Sequence, residues 1–147
     1  MIKKIVFDMD GTIADLYSVS NWLDMLRSED VTPYAVARPM YNMLELREIL
    51  LSLKILGWKI AVTSWGSMYS TENYLNRTAA AKIKWLQDFG FPYDEVHIVP
   101  YGTPKHEVTK ADIQILIDDN PTVREEWIGD TIDANNNIIP LLLNLIG

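Results

Sequence analysis

Asp8 and Asp10 stand two residues apart, just after the apolar run Ile5-Val6-Phe7 and just before Gly11-Thr12. In an extended chain residues i and i+2 point to the same side, so both carboxylates can face one site while Met9 faces away. Two anions this close repel unless a shared proton or a cation compensates. A hard divalent metal, which prefers carboxylate and carbonyl oxygens, is the natural compensation. Gly11 permits the sharp turn such a site needs. Asp-Gly is also a common turn dipeptide, so the rest of the chain decides. Thr63 and Ser64 follow a second apolar run, and Asp118-Asp119 follow Ile115-Leu116-Ile117. Between them Thr103-Pro104-Lys105 reads as a helix start, with Thr103 as cap and Pro104 in the first turn. The order acidic pair, hydroxyls, lysine, acidic pair places a carboxylate nucleophile, phosphate-binding donors, a cation and metal ligands on one rim. Lys110 competes with Lys105, which is preferred because Lys110 lies close to the following strand. Asp118-Asp119-Asn120-Pro121 also suits a helix-capping turn, which is compatible with metal ligation. His97 and His106 are expected to be structural or exposed.

Those residues need strand ends to hold them. Ile2–Phe7 reads as the first strand, Lys59–Thr63 as the second, Val96–Val99 as the third and Ile113–Ile117 as the fourth. Met43–Leu56 reads as a helix whose apolar face is Leu44, Leu46, Ile49, Leu50, Leu53 and Leu56, ended by Gly57. Ala79–Phe89 reads as another, with Ala80, Ile83, Leu86 and Trp85 inward, stopped at Gly90. Pro121–Ile128 starts a third helix. Ile138–Leu143 is expected to be a last strand, at an edge because of Pro140. Strands alternating with helices imply βαβ units and a mainly parallel sheet, hence a single Rossmann-like three-layer α/β/α domain. Ligands of such folds bind beyond the carboxyl ends of the strands. The stretch Ile13–Met40 breaks the alternation, with one short helical pattern around Asn21–Arg27, and reads as a small cap-like insertion over the mouth of the site.

The bulk composition agrees. A chain of 147 residues suits one domain, and a domain of that size buries roughly 70% of its unfolded surface. The net charge of −7 argues against a broad electrostatic footprint on nucleic acid. With no cysteine, disulfides, zinc–cysteine sites and thiol catalysis are excluded. The apolar run at the start is too short for a signal peptide and is interrupted by Asp8 and Asp10. No run approaches the ~20 apolar residues of a membrane helix. A soluble, cytoplasmic protein is the expectation.

Four motifs in this order resemble the haloacid-dehalogenase (HAD)-like superfamily of phosphohydrolases. Asp8–Thr12 is similar to its DxDG[TV] motif, Ile60-Ala61-Val62-Thr63 to its strand-end hydroxyl motif, Lys105 to its lysine and Ile117-Asp118-Asp119 to its acidic pair. Val62-Thr63-Ser64, the segment Lys82-Ile83-Lys84-Trp85-Leu86 and the run from Lys105 through Ala111-Asp112 to Asp119 are most similar to 5′(3′)-deoxyribonucleotidases and to the phosphatase domain of polynucleotide kinase-phosphatases. That branch often carries Arg after the acidic pair, where this chain has Asn120. The resemblance implies that Asp8 attacks phosphorus to form an aspartyl-phosphate and that Asp10 protonates the leaving alcohol and then activates water. It implies Mg²⁺ on Asp8, the Asp10 backbone carbonyl and Asp118, with Asp119 as a further ligand or as an orienter. Thr63, Ser64 and Lys105 are then the phosphate-binding groups. Receiver domains use similar residues in a different chain order, and the G-x-x-x-x-G-K-[ST] of P-loop enzymes is absent.

The aromatics Tyr17 and Trp22 of the insertion, and Trp65 and Tyr69 after Thr63, suit either stacking on a nucleobase or packing the insertion onto the core. The leading expectation is a Mg²⁺-dependent nucleotidase acting on nucleoside or deoxynucleoside monophosphates. The alternatives are a 3′-phosphatase for nucleic-acid ends and, from another class, a catalytically silent binding protein of the same fold.

Overall fold

The computed structural model describes residues 1–147. Five parallel strands form the main sheet: β1 (Lys3–Phe7), β4 (Trp58–Trp65), β5 (Glu95–Val99), β6 (Ile113–Asp118) and β7 (Asp130–Asp133), in the order β5-β4-β1-β6-β7. The centre is β1, whose Ile5, Val6 and Phe7 are fully buried. β1, β4 and β6 are near-continuous apolar runs, as expected where both faces of a parallel sheet are covered.

Helices α3 (Met43–Ile55) and α4 (Glu72–Asp88) connect β1 to β4 and β4 to β5. The chain then crosses back past β1, and α5 (Pro121–Glu126) connects β6 to β7 in the opposite direction. Right-handed crossovers therefore put α3 and α4 on one face and α5 on the other. The larger core joins Leu46, Leu50 and Leu53 of α3, Trp85 and Leu86 of α4 and Leu142 to one face of the sheet. The opposite face is covered more thinly, by Val123 and Trp127 against Val6, Ala61 and Leu116. The three-layer α/β/α architecture is thus present, with unequal outer layers.

Several expected elements need correction. Ile138–Leu143 is not a strand: α6 (Ile139–Ile146) is a helix, with Pro140 in its first turn. Ile138 and Leu142, one turn apart, point into the core, and a short apolar run does not by itself separate helix from strand. The last strand is instead the polar β7, which carries no apolar run to reveal it. The inward face of α3 is narrower than expected, because Leu44 and Leu56 are exposed. α4 begins seven residues before Ala79, at Glu72, where the Thr71 side chain accepts from the Tyr74 N–H. Its buried residues are Tyr74, Thr78, Lys82, Trp85 and Leu86, while Ala80 is exposed. Lys105–Glu107 forms a single 3-10 turn with no side-chain cap, and Thr103 Oγ1 donates to the Pro100 carbonyl instead.

Between β1 and α3 the chain forms two short strands, β2 (Ala14–Asp15) and β3 (Arg38–Pro39), paired antiparallel around helices α1 (Trp22–Arg27) and α2 (Thr32–Val36). The sequence pattern shows α1 but not α2, whose Pro33 sits at the favoured first turn. Leu16, Leu26 and Tyr34 of this segment pack on Tyr74 of α4 in a separate apolar cluster. No helix is long and apolar enough to cross a membrane.

Candidate active site

Strand register brings three of the chemical residues together. Phe7 pairs with both Val62 and Ile117, so Asp8, Thr63 and Asp118 are the next residues on three adjacent strands. Val6, Ala61 and Leu116 share one face of the sheet, and residues two further on share it too. This rim is the carboxyl end of the central strands, where the direction of winding reverses.

Asp8 is held from several sides. Lys105 Nζ donates to Asp8 Oδ1 at 2.8 Å and to Asp118 Oδ2 at 2.8 Å. Thr12 Oγ1 donates to Asp8 Oδ2 at 3.0 Å. Burial pushes the Asp8 carboxyl up, but Lys105, a hydrogen bond from Asp119 and Lys82 outweigh it and hold Asp8 below the usual carboxylate range. The same burial, with the charge of Asp8, raises Asp118. Asp119 is pushed up to about 8 by burial and by Asp8. The Lys105 ammonium is disfavoured by burial, yet Asp8 and Asp118 more than compensate and raise it. Lys110 is exposed and makes no comparable contact.

Carboxylate oxygens of Asp8, Asp118 and Asp119 lie within 4.8 Å of one another. Three hard oxygen donors, two of them bridged by the Lys105 ammonium, are a donor set that could hold a hard divalent cation. The Asp119 proton would leave on binding. The Asp10 carboxylate is outside this group. It is turned to Lys82, 2.7 Å away.

Gly11, at φ +78°, is why the turn can close: a Cβ there would run into the Asp119 carboxylate and come 2.9 Å from the Tyr17 ring. Asn120, where the resembling branch often has Arg, caps α5 by accepting from the Thr122 N–H at 2.9 Å, and its own N–H donates to Asp118 Oδ1 at 2.9 Å. An arginine is nevertheless nearby. Arg124 donates to the Asp118 carbonyl at 3.0 Å.

The two hydroxyls near the end of β4 differ. Thr63 Oγ1 is fully buried with no hydrogen-bond partner, an open donor beside Asp8. Ser64 Oγ instead accepts from Lys82 Nζ at 2.7 Å. Its own O–H remains free to donate, and Ser64, unlike the fully buried Thr63, lines the cavity over the site.

Above the carboxylates lies a cavity of about 450 Å³, inside the range of about 300–1,000 Å³ for small-molecule sites. Asp8, Asp10, Asp118, Asp119 and Lys105 line it, together with the rings of Tyr17, Trp22, Tyr34, Trp65, Tyr69 and Tyr101. Tyr17 and Trp22 pack edge-on, with ring centroids 5.0 Å apart, and Trp65 and Tyr101 pack at a tilt, also 5.0 Å apart. Sequence reasoning missed Tyr101 and Tyr34, and named Lys82 only within the segment Lys82–Leu86, without a role at the site. Tyr101 sits in an exposed loop whose sequence carries no motif. Lys82 reads as an ordinary polar position of a helix until its partners are seen. His97 pairs with Glu95 at 3.0 Å on β5, away from the cluster.

No protein-family profile and no curated protein matches the sequence. Among solved structures the chain is similar to D,D-heptose 1,7-bisphosphate phosphatase from Burkholderia thailandensis, with a TM-score of 0.48 and 14% identity, over 84% of this chain and 70% of that one.

Proposed function

We propose that this chain is a Mg²⁺-dependent phosphomonoester hydrolase that works through an aspartyl-phosphate on Asp8, with nucleoside or deoxynucleoside monophosphates as substrates. The carrying observation is the buried Asp8 carboxylate at the end of the central strand, kept ionised by Lys105 and flanked by Asp118 and Asp119. A nucleophile must be anionic and fixed, and these contacts supply both.

Asp8 attacks phosphorus, and the bond from phosphorus to the ester oxygen breaks as Asp10 delivers a proton to that oxygen. Water then attacks the phosphorylated Asp8, Asp10 takes its proton, and inorganic phosphate leaves as the bond to Asp8 breaks. Burial raises the Asp10 carboxyl against the opposing pull of Lys82, which suits a group that first gives and then takes a proton. The Thr63 hydroxyl and the Lys105 ammonium donate to the phosphoryl oxygens. Asp8, Asp118, Asp119 and the Asp10 carbonyl are the oxygens that would hold Mg²⁺, whose charge offsets repulsion between nucleophile and ester. The segment from β2 to β3 acts as a small cap, and the aromatic rings that line the cavity receive the base.

The test is phosphate release, with Mg²⁺, from a panel of 5′- and 3′-nucleoside monophosphates beside a 3′-phosphorylated oligonucleotide. Turnover of monophosphates that falls about 10³-fold or more in Asp8→Asn is the expected result. Inertness toward every monophosphate overturns the nucleotidase reading. Activity on the oligonucleotide alone, falling steeply with salt, assigns the chain to nucleic-acid ends.

A further inference from the structure

Lys82 is fully buried on the inner face of α4, although lysine is among the residues least often buried. Its ammonium spends all three donors inside the protein: on Asp10 Oδ2 at 2.7 Å, on Ser64 Oγ at 2.7 Å and on the Trp65 carbonyl at 2.9 Å. Its remaining side lies over the ring of Tyr34, 4.7 Å from the centroid, a cation–π contact strengthened by the absence of water. No donor is left for a substrate phosphate, so Lys82 is not a phosphate-binding residue. Its one anionic partner is Asp10, whose other oxygen, Oδ1, makes no hydrogen bond within the chain and belongs to a residue lining the cavity.

We propose that Lys82, covered by Tyr34, is a positioning residue that locks the Asp10 side chain by Oδ2 and so presents Oδ1 to the leaving oxygen and then to water. The proposal rests on the aspartyl-phosphate reading above and adds a route by which the segment between β1 and α3 acts on the chemistry. Tyr34 comes from α2 of that segment, Lys82 from α4 and Asp10 from the turn after β1, so a shift of the small cap alters the lysine and, through it, the acid.

The distinguishing readout is the leaving group. The value of kcat/KM reports events up to formation of the aspartyl-phosphate. In that step an alkyl ester such as thymidine 5′-monophosphate needs a proton on its leaving oxygen, whereas 4-nitrophenyl phosphate does not. Lys82→Met is expected to lower kcat/KM about 10²-fold for the nucleotide and less than about threefold for the aryl ester. Tyr34→Leu gives a smaller loss with the same bias, and Tyr34→Phe, which keeps the ring, restores the ratio between the two substrates. In an Asp10→Asn background, where no buried carboxylate is left unpaired, Lys82→Met has no further effect on the nucleotide. Equal losses on both esters, or a loss that persists in the Asp10→Asn background, overturns the proposal. The contact is also read without turnover, from the ¹³Cγ resonance of Asp10. Its displacement in Lys82→Met, and to a lesser degree in Tyr34→Leu, is expected, and an unmoved resonance overturns the proposal. A wild-type protein inert toward both esters refutes the hydrolase reading, and the resonance still decides whether Lys82 governs Asp10.

Discussion

Thr63 and Gly11 show what single atoms contribute. The buried Thr63 hydroxyl has no partner, and an unsatisfied buried polar group costs about 1–3 kcal/mol. Thr63→Val keeps the shape and removes the cost. It is expected to raise the stability of the ligand-free protein by about 1 kcal/mol in denaturant unfolding while weakening binding of a phosphate analogue such as vanadate. If both quantities fall together, the hydroxyl has a partner in solution and is not an open phosphate donor. Gly11→Ala adds a methyl group where the Asp119 carboxylate stands, on a backbone of φ +78°. Loss of Mg²⁺ affinity, measured by titration calorimetry, is the expected outcome, because Asp119 must move away from Asp8 and Asp118. Unchanged affinity removes Asp119 from the donor set. The sequence shows both residues, but Thr63 looks the same whether its hydroxyl is satisfied or open.

At the scale of elements, α5 links helix capping to the carboxylate cluster. Asn120 accepts from the N–H groups at the start of α5, while its own N–H holds Asp118. Asn120→Ala removes the cap but keeps that backbone contact. It is expected to cost about 1 kcal/mol of stability, read from the unfolding midpoint, with KM for substrate little changed. A large rise in KM at unchanged stability gives Asn120 a substrate contact instead. Among the elements that sequence patterning assigned wrongly or missed, α6 and β7 each have a physical explanation. α6 is short and strongly apolar, so its residues satisfy either period. β7 pairs Asp130–Asp133 with Ile115–Asp118 through backbone hydrogen bonds at the sheet edge, and side-chain patterning does not record them.

For the whole molecule, charge at the rim predicts how stability depends on pH. Asp119 has a folded pKa near 8 against an ordinary 3.8, so between those values the folded protein holds a proton that the unfolded chain releases. Its stabilising contribution is therefore complete below about pH 4 and is lost as pH rises through about 8. In metal-free protein the melting temperature of wild type relative to Asp119→Asn is expected to fall across that window. If Mg²⁺ takes the place of the proton, as proposed, it is expected to raise the wild-type melting temperature most at the alkaline end. A difference that does not vary with pH means that Asp119 titrates as an ordinary surface carboxylate.

The Asp8-x-Asp10-Gly11-Thr12 run, the apolar strands before Asp8, Thr63 and Asp118, and their chain order are local signals, and from them alone a parallel α/β sheet with a carboxylate site at its rim follows. Alternation carries facing from Val6 to Asp8 and from Leu116 to Asp118, but the register that sets Asp8, Thr63 and Asp118 side by side comes from the assembled sheet. Tertiary structure alone decided which partners these residues meet: Lys105 bridging Asp8 and Asp118, Ser64 accepting from Lys82, and Tyr34 lying over the ammonium. A lysine on a helix is compatible with solvent or core, and only residues distant in sequence (Asp10, Ser64, Trp65 and Tyr34) supply the charge and hydrogen bonds that make burial of Lys82 affordable.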